Sequence, residues 1–118
     1  MAPGVLRIRT KAFATAILRL IDRLPETPEA RIVQGQLGRC GTSVGANYRR
    51  ACLAQSARDF IAKLKVVEEE VDETEFWLEL IQELGLAEAE AVNRLRNEAS
   101  QILAMTIASI RTSRERRL

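Results

Sequence analysis

At 118 residues, with 18 Lys and Arg against 16 Asp and Glu, the chain amounts to one domain carrying a net charge of only +2. Of its residues 47% are apolar but only 4% aromatic, so the core must be built from Leu, Ile, Val and Ala, as in helix bundles. It holds no histidine and no apolar run near the roughly 20 residues that span a bilayer, which argues against a membrane protein and favours an assembly or binding protein over an enzyme.

The first helix is expected over residues 5–24. Leu6, Phe13, Ile17, Leu20 and Leu24 recur at spacings of seven, four, three and four, one face of an amphipathic helix. The opening MAPGVLRIRTKAF interleaves Arg7, Arg9 and Lys11 with its apolar residues, unlike a signal peptide, so a cytoplasmic location is expected. Pro25 and Pro28 bracket a break, with Thr27 placed to cap a second helix and Pro28 at its first position.

That second helix is expected over 28–52, with Val33, Leu37, Cys40 and Val44 as its apolar stripe. A separate stripe, Gly35, Gly38, Gly41 and Gly45, steps by three, three and four. Each glycine costs a helix about 0.8–1.0 kcal/mol against alanine. Close approach of another helix would offset that cost, within the subunit or between subunits, and the four glycines are the candidate oligomer interface. A bend near Gly41 is the alternative. GRCGTSVG lacks the lysine of a phosphate-binding loop and follows no strand. Cys40 and Cys52 would lie about 18 Å apart along one helix, too far to bridge. Both are read as buried small residues. Asn47 is expected to bond across a helix interface, and Tyr48 is a single aromatic among cations, a weak base-stacking signal.

The third helix is expected over 57–84, with Ser56 as its cap and Asp59 at the third position in a variant of the capping box. Phe60, Leu64, Val67, Val71, Thr74, Leu78 and Ile81 alternate by four and three, a heptad seam, and Trp77, Leu80 and Leu84 widen it. Gly85 ends it in the left-handed conformation. The acidic stripe Glu68, Glu69, Asp72, Glu73, Glu75, Glu79 and Glu83 has no histidine to complete a di-metal site. It is read as a solvated face or as intersubunit salt bridges to Arg39, Arg49 or Arg50. No metal and no cofactor are implied. The fourth helix is expected over 87–111, with Val92, Leu95, Ile102, Leu103, Met105 and Ile110 inward and a frayed tail at 112–118. The fold class is all-α: one domain, 1–118, an up-down-up-down antiparallel four-helix bundle.

QLGRCGTSVGANYRRA, SARDFIAKL and EEEVDETEFWLELI together resemble the 23S rRNA intervening-sequence proteins, also known as four-helix bundle proteins. The family includes the accessory variability determinant of diversity-generating retroelements. The resemblance runs from Phe13 to about Ile110. Its most specific residues are Ser43–Val44–Gly45–Ala46–Asn47, Asp59–Phe60–Ile61 and Glu73–Thr74 ahead of Trp77–Leu78. Many members carry an acidic residue where this chain has Arg49–Arg50. The resemblance implies a cyclic homo-oligomer, typically a pentamer, without catalytic activity. For the retroelement branch it implies binding to nucleic acid and to a reverse transcriptase.

Charge is segregated along the chain: +4 over residues 1–24, +2 over 25–56, −6 over 57–84 and +2 over 85–118. An antiparallel bundle would bring Arg7, Arg9, Lys11, Arg49, Arg50, Arg58, Lys63, Lys65, Arg111, Arg114, Arg116 and Arg117 to one end, against Asp59 and Glu115. Such an end attracts phosphate backbones by counterion release without reading sequence. Fifteen of the 18 cations are arginine, whose planar fork suits phosphate. The leading expectation is therefore a non-enzymatic accessory protein that binds RNA or DNA through its basic end, with a reverse transcriptase as a further partner. The alternative is a structural or protein-interaction ring that binds no nucleic acid.

Overall fold

The computed structural model describes residues 3–117, with side chains from 4 to 116. It contains four helices, α1 (Pro3–Asp22), α2 (Pro28–Cys52), α3 (Ala57–Leu84) and α4 (Ala89–Arg117), and no strand among the described residues. The molecule measures 51 × 21 × 20 Å.

The boundaries follow local chemistry. Thr27 adopts an extended conformation and its hydroxyl accepts from the Ala30 amide at 3.2 Å, with Pro28 in the first turn where no amide is needed. Ser56 does the same for α3, accepting from the Asp59 amide at 3.1 Å. The Asp59 carboxylate reaches back to the Gln55 amide at 3.3 Å, one residue further out than in the usual capping box. Gly85 closes α3 at φ 63°, and the following amide of Leu86 donates to the Ile81 carbonyl.

Two boundaries differ from expectation. Helix α1 lies two residues earlier than the periodicity places it, although Leu24 beyond its end is still buried. Helix α4 starts at Ala89 and continues to Arg117 instead of giving way at 111; Leu118 lies outside the described residues. TSRERR contains no glycine or proline, arginine and glutamate are good helix formers, and cations near a helix C-terminus complement its dipole.

The core is the set of predicted stripes. Leu6, Phe13, Ile17, Leu20 and Leu24 meet Val33, Leu37, Cys40 and Val44 of α2, Leu64, Val67, Val71, Leu78 and Ile81 of α3, and Val92, Leu95, Ile102 and Ile110 of α4. Each fully buried side chain of this kind contributes about 1.5–3 kcal/mol. Leu103 and Met105 are half-buried against this core. Ile61, not Phe60, starts the α3 seam, because spacings of three and four from Leu64 both satisfy the pattern. Trp77 and Leu80 are half-buried and Leu84 is exposed. Thr10, Thr74 and Thr106 are buried, and each donates its hydroxyl to a carbonyl of its own helix, so none is left unsatisfied.

Each helix packs closely on its neighbour in the chain, and α1 also meets α4, more sparsely; among the described residues the diagonal backbones stand apart across the shared core. Along α1 and α2 the partners step in opposite senses: Gly38 faces Ile21, Gly41 faces Ile17 and Gly45 faces Thr10. Built Cβ atoms there would stand 3.2 Å from Ile21, 2.8 Å from Ile17 and 3.3 Å from the Thr10 backbone. The glycine stripe is thus occupied by α1 of the same chain. This corrects its assignment as an oligomer interface for Gly38, Gly41 and Gly45. Gly35 has nothing within 4 Å and is exposed. Helix α2 is continuous through Gly41.

Candidate nucleic-acid interface

The start of α1 and the end of α2 share one end of the bundle. Arg7, Lys11 and Arg49 line a single groove of about 380 Å³, alongside Ile8, Ala14 and Ala46. The start of α3 meets the second half of α4, where Lys65 lies in one hollow with Leu103 and Ile107. Arg7, Lys11, Arg49, Arg50, Arg58, Lys65, Arg111, Arg114 and Arg116 are all exposed. Among the described residues none of them has a carboxylate within ion-pair distance. The side chain of Arg117 lies outside the described residues.

Arg9 and Lys63 do not belong with them. Arg9 turns across to α4 and forms a two-pronged contact with Glu98, at 2.6 and 3.0 Å, with Gln101 at 2.8 Å. That bond raises the Arg9 pKa above its ordinary value. Lys63 pairs with Asp59 one turn back at 2.7 Å, and this holds the Asp59 carboxyl below its usual range. Lys65 shares its hollow with Glu68, Glu69 and Asp72, so its field is partly cancelled. The remaining cations can act on a ligand. A bundle about 20 Å across overlies a length of duplex that carries roughly a dozen phosphate charges.

Two smaller expectations fail here. Asn47 donates to the Ser43 carbonyl within its own helix at 2.9 Å and accepts from Arg50, so it bridges no helix interface. Tyr48 is buried, 3% exposed, and unavailable for stacking on a base. Burial, reinforced by contact with Cys52 and opposed by Arg7, pushes its pKa up to about 12. Cys40 is buried as expected, with its thiol pushed upward by that burial, but Cys52 is exposed.

Residues 6–108 match the family described as 23S rRNA-intervening sequence protein. The chain belongs to that family. It is also similar, with a TM-score of 0.87 and 34% identity, to the crystal structure of a protein of unknown function from the S23 ribosomal protein family of Bacteroides thetaiotaomicron VPI-5482. That likeness covers 94% of this chain and 99% of the other. No curated protein matches the sequence. In this 23S rRNA-intervening sequence family member the motif residues serve the fold: Val44, Gly45, Ile61 and Thr74 are buried, Asp59 caps α3, and Glu73 accepts from the Trp77 indole at 3.3 Å.

The acidic stripe of this family member is tied up within the chain more than its sequence suggests. Arg39 lies beside both Glu70 and Glu73, while Arg49 and Arg50 reach no acid of α3. Arg96 of α4, unremarked in the sequence, holds Glu75 at 2.6 Å, Gln82 at 2.6 Å and Glu79 at 3.6 Å. Burial raises the Glu70 pKa, against the pull of Arg39. Among the described residues no three His, Cys, Asp or Glu side chains converge on a metal position, and no helix is long and apolar enough to cross a membrane. Sequence periodicity also left unmarked the half-exposed Phe76 and a groove between α1 and α4 flanked by Arg19, Arg23 and Arg94. The one available signal was the repeat of small and basic residues at Ala12, Ala16, Arg19 and Arg23.

Proposed function

We propose that this protein is a non-enzymatic accessory factor that binds RNA or DNA, independently of sequence, through the basic end of an up-down-up-down bundle. Copies assemble about an axis parallel to the helices into a cyclic homo-oligomer, a pentamer by family resemblance, so that the basic ends share one face. The observation that carries this reading is the convergence of Arg7, Lys11 and Arg49 in one groove at an end where further arginines lack acidic partners. The helix dipoles cannot supply that field: two N-termini and two C-termini meet there and largely cancel. A reverse transcriptase is the protein partner that the family resemblance supports.

The test is anisotropy of labelled RNA and duplex DNA across a salt series. Log affinity should fall linearly with log salt, by about 0.9 per phosphate neutralised on duplex DNA. Arg49→Glu with Arg114→Glu should weaken binding to every sequence alike and flatten the slope by about 2. No binding at about 50 mM salt refutes the reading and leaves the alternative, a structural or protein-docking ring, for which the exposed Phe76 speaks.

A further inference from the structure

We propose that the groove between α1 and α4 receives Phe76 of a second copy of this chain. This deepens the ring assembly proposed above by naming its contact. The groove is open, about 400 Å³, and lies where the bundle's helix packing is sparsest. Phe13, Ala16, Leu20, Ala91 and Leu95 give it an apolar floor, and Arg19, Arg23 and Arg94 stand along it. These three arginines are exposed, and among the described residues none has a carboxylate within ion-pair distance. Glu98, the acid in the lining, is already held by Arg9. Such a groove selects an apolar group surrounded by negative charge.

The chain itself carries that group. Phe76 is 51% exposed on α3 and packs edge to face on Trp77, with ring centroids 5.1 Å apart at 80°. That contact holds the ring in place, so seating it costs little rotamer freedom. Glu69, Asp72 and Glu83, at seven and four residues before and seven after, share its strip of the helix. All three are exposed and make no ion pair among the described residues. Three anions without ion pairs around an aromatic knob, two of them sharing a hollow with Lys65, face three free cations around an apolar socket. Charge complementarity of this kind fixes register and speeds encounter, while a buried aromatic anchor in a pocket carries the affinity.

Placement decides the type of assembly. Helices α1 and α3 are diagonal, with the core between them, so the exposed knob and the socket lie on different sides of one molecule and a copy cannot fill its own groove. The contact is heterologous, each copy giving its knob to one neighbour and its socket to the other. The Glu75–Arg96 ion pair at 2.6 Å sets the turn bearing Phe76 level with residues 94–98 of α4, which line the groove. Knob and socket therefore sit at one height along the bundle, and successive copies gain no rise. A repeat without rise does not climb into a helical filament and forms a ring when its rotation divides the full turn.

Light scattering tests this with two exposed-surface variants, Phe76→Glu and Arg19→Glu with Arg94→Glu, each checked for helix content by circular dichroism. Each alone should fall from the wild-type mass to that of one chain. Mixed, they should form a one-to-one dimer that grows no further, because one copy brings an intact groove and the other an intact Phe76. A ring of wild-type mass from Phe76→Glu, or monomers that stay apart on mixing, would overturn the contact while leaving the ring. A wild-type protein that is itself monomeric would refute the assembly and the contact together.

Discussion

Adding one methyl group to α2 has opposite consequences at two glycines six residues apart. At Gly35 a Cβ meets nothing within 4 Å, so Gly35→Ala gains the helix propensity of alanine, about 0.8–1.0 kcal/mol. At Gly41 the same gain is opposed by contact with Ile17 Cγ2 at 2.8 Å, Cγ1 at 3.0 Å and Cβ at 3.2 Å. Those atoms form the branched root of a fully buried side chain, and no rotamer removes all three. The two helices must move apart, at an overpacking cost of about 1–3 kcal/mol. The net for Gly41→Ala is a loss of up to about 2 kcal/mol, and the two variants should differ by about 1–3 kcal/mol. With a urea slope of about 1–3 kcal/mol per molar, their unfolding midpoints, read by circular dichroism at one protein concentration, should separate by on the order of 1 M. In an Ile17→Ala background Cγ1 and Cγ2 are gone and only the Cβ contact at 3.2 Å is left, so Gly41→Ala should lower the midpoint less there than in the wild-type protein. If Gly41→Ala stabilises the wild-type protein as much as Gly35→Ala does, the close approach of α1 and α2 is not what the glycines serve.

Tyr48 is the chain's one tyrosine, so its phenolate absorbance should titrate in a single step centred near the folded value of about 12 instead of the ordinary 10.0. A folded pKa raised in this way means that its stabilising contribution is complete below pH 10.0 and is lost as pH climbs toward 12, so unfolding midpoints should decline across that window and not beneath it. A thiol reagent at neutral pH should modify Cys52 promptly and Cys40 only on unfolding, readable as one and then two adducts by mass spectrometry; two prompt adducts would contradict the burial of Cys40. Ser56→Ala removes the acceptor for the Asp59 amide and should lower stability by about 1 kcal/mol in urea unfolding, with helix content otherwise retained.

Much of this was legible from residue order, and the reason differs from element to element. The Leu6–Leu24 stripe, the Thr27 and Ser56 caps and the Gly85 terminus depend on neighbours within a turn or two, so sequence spacing alone specifies them. The meeting of Arg7, Lys11 and Arg49 in one groove follows from the reversal between α1 and α2, which a short connection enforces. What spacing leaves open is rotation about each helix axis. That rotation decided whether the glycines faced α1 or another subunit, and whether Phe60 or Ile61 entered the core. It also turned Arg9 toward Glu98 and Arg96 toward Glu75, pairings 89 and 21 residues apart that no local pattern announces. Arg9 was grouped with the free cations for that reason, whereas the pairing of Lys63 with Asp59, four residues back, was within reach of sequence spacing. Tyr48 gave only a weak base-stacking signal among its charged neighbours in sequence, and its own face of α2 points inward.

The way the helices are joined bears on how fast this chain should find its fold. Among the described residues the extensive helix pairings link one helix to the next along the chain, across turns of only a few residues, and the distant pairing, first helix to last, is the sparse one. Little loop-closure entropy has to be overcome before packing begins to repay it. Folding should therefore advance by successive hairpin docking and rank among the fast topologies. The same seam, assembled last, should also be the first to part: exchange of backbone amide hydrogens ought to reveal α1 and α4 separating from each other well below the free energy of global unfolding, while α2 and α3 remain protected.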